Sequence, residues 1–193
     1  MKVSEAGPPL SVVLSRTTHD ALRAGLIRDG DAREHAAFLF AREVAERTVE
    51  VTDVRLLHAA DFNFQSAHHL ALVDDVLQEV ILRAHQSGSV LIEAHSHPFA
   101  EGSHVGFSLS DEAGLREVVP HMVWRLPARP YAALVFGRAA FGGLYWSTTD
   151  TTPTGAVDLV VDRVRMVGSD ESLRRWRGTL DGPIRQATTD LWR

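Results

Sequence analysis

The chain has 193 residues, 45% of them apolar, which suffices for one domain with a sizeable core and makes two independent enzymatic domains unexpected. Its 20 basic and 25 acidic residues leave a net charge of −5, small and of the wrong sign for a protein that grips nucleic acid by neutralising phosphates. The absence of cysteine excludes disulfides, thiolate zinc sites, thiol nucleophiles and iron–sulfur clusters, so His, Asp and Glu remain as the strong metal ligands.

The first thirty residues carry acids and Pro8-Pro9 instead of the apolar run of a signal peptide, and no stretch approaches the ~20 apolar residues of a membrane span. The expectation is a soluble cytoplasmic protein with no membrane partner. Lys2 is the only lysine, so arginine supplies nearly all the positive charge; the codon bias of a GC-rich genome accounts for that.

In chain order, residues 1–10 read as a flexible N-terminus, and Thr17 to Leu26 as a short helix stopped near Gly30-Asp31. The runs Glu34 to Val44 and Thr48 to Leu57, rich in apolar and β-branched residues, suit two strands of one sheet. Leu70, Val73, Leu77, Val80, Ile81 and Ala84 recur at helical spacing, with Ser87-Gly88 as a stop, and predict a helix over 70–84. Val90-Leu91-Ile92 then reads as a strand entering the sheet and leading to His95.

Ser108 or Ser110 caps a further helix through about Val119, with Asp111 and Glu112 in its positive first turn and Pro120 near its end. Tyr131 to Phe136 and Phe141 to Trp146 read as a hairpin, and Val157 to Val167 as one more strand. The order α, β, β, α, β, α, β, β, β places the chain in the α/β (α+β) class. The body of the domain spans 11–168, followed by an Arg-rich C-terminal tail, 169–193, expected to be helical; its charges read as a solvated face more readily than a partner site.

The stretch that carries chemistry is Glu93-Ala94-His95-Ser96-His97-Pro98, followed by Ser108-Leu109-Ser110-Asp111. On a strand, His95 and His97 face the same way, roughly 6.6 Å apart at the backbone, a workable bite for one metal ion. Ten histidines would give about half an H-x-H pair by chance, so a pair of surface histidines is the plain alternative. A catalytic zinc keeps three protein ligands and an open position, and Asp111 is the natural third. Ser108-x-x-Asp111 is also a capping-box pattern, which alone would make Asp111 structural.

Together these residues resemble the JAMM signature of the JAB/MPN metalloproteases, zinc isopeptidases that remove ubiquitin and ubiquitin-like proteins. The resemblance covers about 34–146. It implies a helix-flanked, curved mixed β-sheet of the JAB/MPN, cytidine-deaminase-like type, with Zn2+ held by His95, His97 and Asp111. It further implies Glu34 as general base and Ser108 as oxyanion donor. More narrowly, the chain looks like bacterial JAB proteases encoded beside ubiquitin-like, E1-like and E2-like partners in antiphage operons. Its expected partners are therefore a ubiquitin-like protein and its conjugates, with no nucleic acid.

Two departures stand out. The loop Pro98 to Phe107 is longer than the family's and ends in Phe107 where a proline is usual, and the strand after Glu34 lacks the family's glycines. Glu93, on the same strand face as the histidines, competes with Glu34 as base or as a partner orienting an imidazole. His104 in the loop, and His58, His68, His69 and His121, read as cap, surface or core residues. The alternatives are a metal-dependent phosphoesterase or amidohydrolase, which needs histidines late in the chain where none follows His121, a non-catalytic MPN scaffold, and a processing protease for a sulfur-carrier protein.

Overall fold

The structure, a computed structural model, describes residues 7–148 and 150–181, and only the backbone of 179–181. It is a mixed α/β domain in which four helices pack around one large mixed sheet. The order in the sheet is β1-β3-β2-β6-β7-β8-β9-β10, and a further parallel pairing of β1 with β9 joins the two ends, so seven strands close into a ring. The strands are β1 (Leu10–Leu14), β2 (Ala36–Ala45), β3 (Thr48–Leu56), β6 (Val90–Ser96), β7 (Tyr131–Phe136), β8 (Phe141–Trp146), β9 (Gly155–Val161) and β10 (Val164–Met166). Closure leaves β1 and β9 without an exposed edge, which a curved but open sheet would have kept.

Both faces of the sheet are covered, which is why β7 and β8 read as unbroken apolar runs and are buried throughout. On one face Val12 of β1, Leu39 of β2, Ile92 of β6 and Leu159 of β9 share a core with Leu22 and Leu26 of α1 (Arg16–Leu26). On the other, Phe38, Phe40, Leu91, Val135 and Trp146 lie beneath three helices. These are α2 (Asp74–Ser87), α3 (Leu109–Arg125) and α4 (Glu171–Asp181). Trp176 of α4 is 2% exposed and meets Trp146 edge-on at 6.0 Å, so this helix belongs to the core of the domain.

Four features differ from the sequence reading. Leu10, assigned above to a flexible N-terminus, begins β1; residues 1–6 and the tail end at Leu191-Trp192 lie outside the described residues. Leu70–Leu72 form not the first turn of a helix but strand β5, paired antiparallel with β4 (Phe62–Gln65), and α2 starts only at Asp74 and runs to Ser87, where Gly88 at φ 70 closes it. Three apolar residues at the front of an amphipathic run satisfy either period, and pairing with β4 decided the matter.

The stretch Val157 to Val167 is not one strand but two, β9 and β10, joined by Asp162 and Arg163 at φ 47 and 72. Those are the positive φ values of a two-residue hairpin turn, made here without the Asn-Gly or Asp-Gly that announces one. Finally, α3 continues through Pro120 to Arg125, held by Leu115, Val119 and Met122 in the core. Among the described residues no helix is long and apolar enough to cross a membrane.

Candidate metal centre

β6 and β7 run parallel and are joined by α3, so the carboxyl end of β6 and the amino end of α3 meet at one rim of the sheet. Strand ends of this kind, facing a helix N-terminus, are where such folds gather their ligands. His95 sits near the end of β6, opposite Ala36 on β2 and Val135 on β7. His97 lies one residue past the strand, its amide donating to the Phe136 carbonyl at 2.8 Å. Asp111 is in the first turn of α3, where the helix dipole favours a carboxylate.

The three side chains converge. His95 Nε2 and His97 Nε2 are 3.3 Å apart, and Asp111 Oδ2 is 3.4 Å from the first and 3.1 Å from the second. Two imidazole nitrogens and a carboxylate oxygen within 4.8 Å of one another form a group that could hold a metal ion. The spacing also fits: ligands at about 2.0–2.1 Å in a tetrahedron stand about 3.3–3.4 Å apart along each edge. All three are partly buried. Burial acts against ionisation of Asp111, but hydrogen bonds from His95 and His97 outweigh it and hold its carboxyl well below the usual carboxylate range.

The capping box exists as well, and it does not compete with the metal group. Asp111 Oδ2 accepts from the Ser108 amide at 2.7 Å, while Ser108 Oγ accepts from the Asp111 amide at 3.1 Å. The cap uses a lone pair of the Ser108 hydroxyl and leaves its proton free to donate. That proton has the Ser110 hydroxyl 2.8 Å away, or a substrate.

Glu34 approaches from the opposite side, just ahead of β2 and not on it. Its Oε1 is 3.7 Å from His97 Nε2, its side chain is 6% exposed, and burial raises its carboxyl above the ordinary value against the pull of His95 and His97. Its backbone is pinned by the β4–β5 hairpin: the Glu34 amide donates to the Ser66 carbonyl at 2.7 Å, and Gln65 Nε2 donates to the Glu34 carbonyl at 2.8 Å. Glu93 is placed elsewhere. Tyr131 donates its hydroxyl to Glu93 Oε2 at 2.5 Å, and the carboxylate faces a cavity behind His95, away from Glu34.

Ser96, between the two histidines, is fully buried with its hydroxyl accepting from the His35 amide at 2.9 Å, which ties β6 to the segment carrying Glu34. Ser96→Ala strands that buried amide and is expected to cost about 1–3 kcal/mol, read as a shift in urea midpoint at unchanged slope.

Several residues around the centre escaped the sequence reading. His68 and His69 are exposed, in keeping with a surface reading, yet His68 lines a groove of about 430 Å³ with Glu34, His97, Phe99 and Ser108, and His69 lines the cavity behind His95. Their placement depends on the β4–β5 hairpin, whose one trace in the sequence is the alternation Phe62, Phe64 before Ser66. The tail helix also contributes. Ser172 Oγ accepts the Phe107 amide at 2.8 Å, and Arg175 donates to the Phe107 carbonyl and, at 2.7 Å, to the buried Glu112. A Cβ on Gly106 would stand 2.8 Å from Ser172 Oγ, so that closeness requires a glycine. Phe107 in turn packs its ring 5.6 Å from that of His95. The long loop thus reaches α3 by being clamped to α4 immediately before Ser108. Across the whole chain, no known family model and no curated protein matches this sequence.

Proposed function

We propose that this chain is a zinc-dependent isopeptidase or peptidase of the JAB/MPN type, cleaving after the C-terminus of a ubiquitin-like protein. The observation that carries the reading is the convergence of His95, His97 and Asp111 at tetrahedral-edge distances, with Glu34 and Ser108 on the open groove beside them. The donor set, two imidazoles and one carboxylate, suits zinc, which in catalytic sites takes three protein ligands. Held by His95, His97 and Asp111, a zinc ion would provide the Lewis acidity that brings a water toward ionisation at neutral pH and draws charge from a carbonyl.

The protein's own groups do the rest. Glu34, buried and close to His97, accepts the proton of the attacking water and returns it to the leaving amine, which departs neutral. Its raised proton affinity suits both halves of that exchange. Ser108, held by the helix cap, donates its free hydroxyl proton to the oxygen that gains charge as the carbonyl becomes tetrahedral. Glu93 is left out of proton transfer by its bond to Tyr131 and its separate cavity. The mixed sheet with its β6–α3–β7 unit is compatible with the JAB/MPN architecture, and ring closure through β1 and β9 adds to the curved sheet expected. E1-like and E2-like proteins of an antiphage conjugation system are the partners this reading implies, in the cytoplasm.

The test is metal analysis of the purified chain together with incubation against a ubiquitin-like protein carrying a C-terminal extension. About one zinc per chain is expected, with cleavage at the junction that a chelator stops and added zinc restores. A chain that takes up no zinc would instead be a scaffold, and cleavage indifferent to the chelator would overturn the mechanism.

A further inference from the structure

The three metal-group residues stand between two cavities. The open groove on one side is shared by Glu34, His97 and Ser108; on the other, a more enclosed cavity of about 230 Å³ abuts His95 and Asp111. Its walls are mostly apolar, with Phe38, Leu72, Leu115 and Val118 beside His69 and Ser110, and Glu93 is set into them. A second cavity of about 520 Å³ between α2 and α3 shares Phe38, Leu72, Glu93 and Val118 with the first, so Glu93 lies where the two meet. Asp74 and Arg125 belong to that outer space, which leaves the inner cavity without a lysine or arginine in its lining.

Its position singles out Glu93. Besides Asp111 of the metal group, it is the one acidic residue among those lining the inner cavity. It spends one of its roughly four acceptor positions on Tyr131, and among the described residues no arginine or lysine pairs with it. A cation placed against a carboxylate in apolar surroundings finds a strong partner there. An apolar sleeve ending at a carboxylate matches a long aliphatic stem with a cationic tip. The reach is right as well, since Glu93 and His95 are alternate residues of β6, roughly 6.6 Å apart at the backbone.

We propose that this cavity is a specificity pocket that takes a basic side chain, arginine or lysine, of the substrate segment beside the scissile bond, with Glu93 accepting its charged end. As a substrate subsite it rests on the hydrolase reading above; as a cation-binding cavity it can be tested without any cleavage.

n-Butylguanidinium, which carries an arginine-like head on an aliphatic stem, is titrated into the zinc-loaded chain and followed by amide NMR shifts, with n-pentanol as the uncharged comparison. Saturable binding is expected, with shifts at Ala94, Gly114 and Leu115, and the alcohol weaker by tenfold or more. Glu93→Gln should weaken the guanidinium at least tenfold while leaving the alcohol unchanged. Gly114→Leu should block both, because a Cβ at Gly114 meets nothing within 4 Å and the new side chain can fill the cavity without disturbing α3. Equal affinity for the two probes, or no loss in a folded Glu93→Gln chain, overturns the pocket. Where the probe binds as expected and no ubiquitin-like fusion is ever cut, the hydrolase reading fails and the cation site stands. Where both hold, replacing the basic residues of the cleaved tail one at a time by norleucine should lower kcat/KM at a single position, and Glu93→Gln should erase that difference.

Discussion

If the chain is the zinc peptidase proposed above, Glu34→Gln is expected to bind zinc as the wild type does and to lose cleavage, while His97→Ala loses both. The glutamine retains the size and polarity of the side chain beside His97 but cannot take a proton. A positioned general base contributes about 10²–10⁴-fold, and a fall of that size in single-turnover cleavage is predicted at wild-type zinc content. His97 supplies one corner of the donor triangle, with its Nε2 3.3 Å from His95 and 3.1 Å from Asp111. Without it two donors remain, too few for a stable site, so metal analysis should return apo protein. Wild-type cleavage by Glu34→Gln would mean that the base has been assigned to the wrong residue. A zinc-free Glu34→Gln chain would mean that this carboxylate helps hold the metal.

The second large effect is expected far from the motif, at Arg175. Its guanidinium pairs with Glu112, whose side chain is 5% exposed, and also holds the Phe107 carbonyl. Arg175→Met leaves a buried carboxylate alone. Removing one partner of a buried pair costs about 3–5 kcal/mol; the one-third exposure of Arg175 brings the expectation down to about 2–3 kcal/mol. Because Phe107 precedes Ser108 and packs on His95, zinc affinity should fall as well, by about 10–100-fold, the usual effect of losing support behind a ligand. The double variant Arg175→Met with Glu112→Leu removes the stranded charge but does not restore the bond to Phe107. It should therefore recover most of the stability seen in urea unfolding and little of the zinc affinity. Recovery of both together would reduce the clamp to a plain ion pair with no hold on the centre.

What could be read from residue order alone was the part of the molecule governed by short-range rules. His95-x-His97 on a strand and Ser108-x-x-Asp111 at a helix start each declare their geometry within four residues, because strand alternation and helix capping are local. The helices starting near Arg16 and Ser108 and the hairpin of β7 and β8 are of the same kind. Where the reading failed, two local rules were equally satisfied. Leu70–Leu72 fitted the front of a helix and an edge strand alike, and a turn of Asp162 and Arg163 carries no hairpin signature.

Composition and local pattern thus determined the mixed α/β character of the fold and the lack of cysteine, and that two histidines and an aspartate could share an ion. Only the tertiary structure decided that these three side chains converge, that Glu34 reaches them from the segment just ahead of β2, and that Glu93 turns to Tyr131 and a separate cavity. It also decided the closure of the ring and the clamp of α4 on Phe107, which joins residues 65 or more positions apart. The reason is the range of the forces involved. Backbone propensity and capping act within a turn or a strand, whereas convergence of distant side chains is set by which apolar faces bury against which, and that is settled only when the whole core packs.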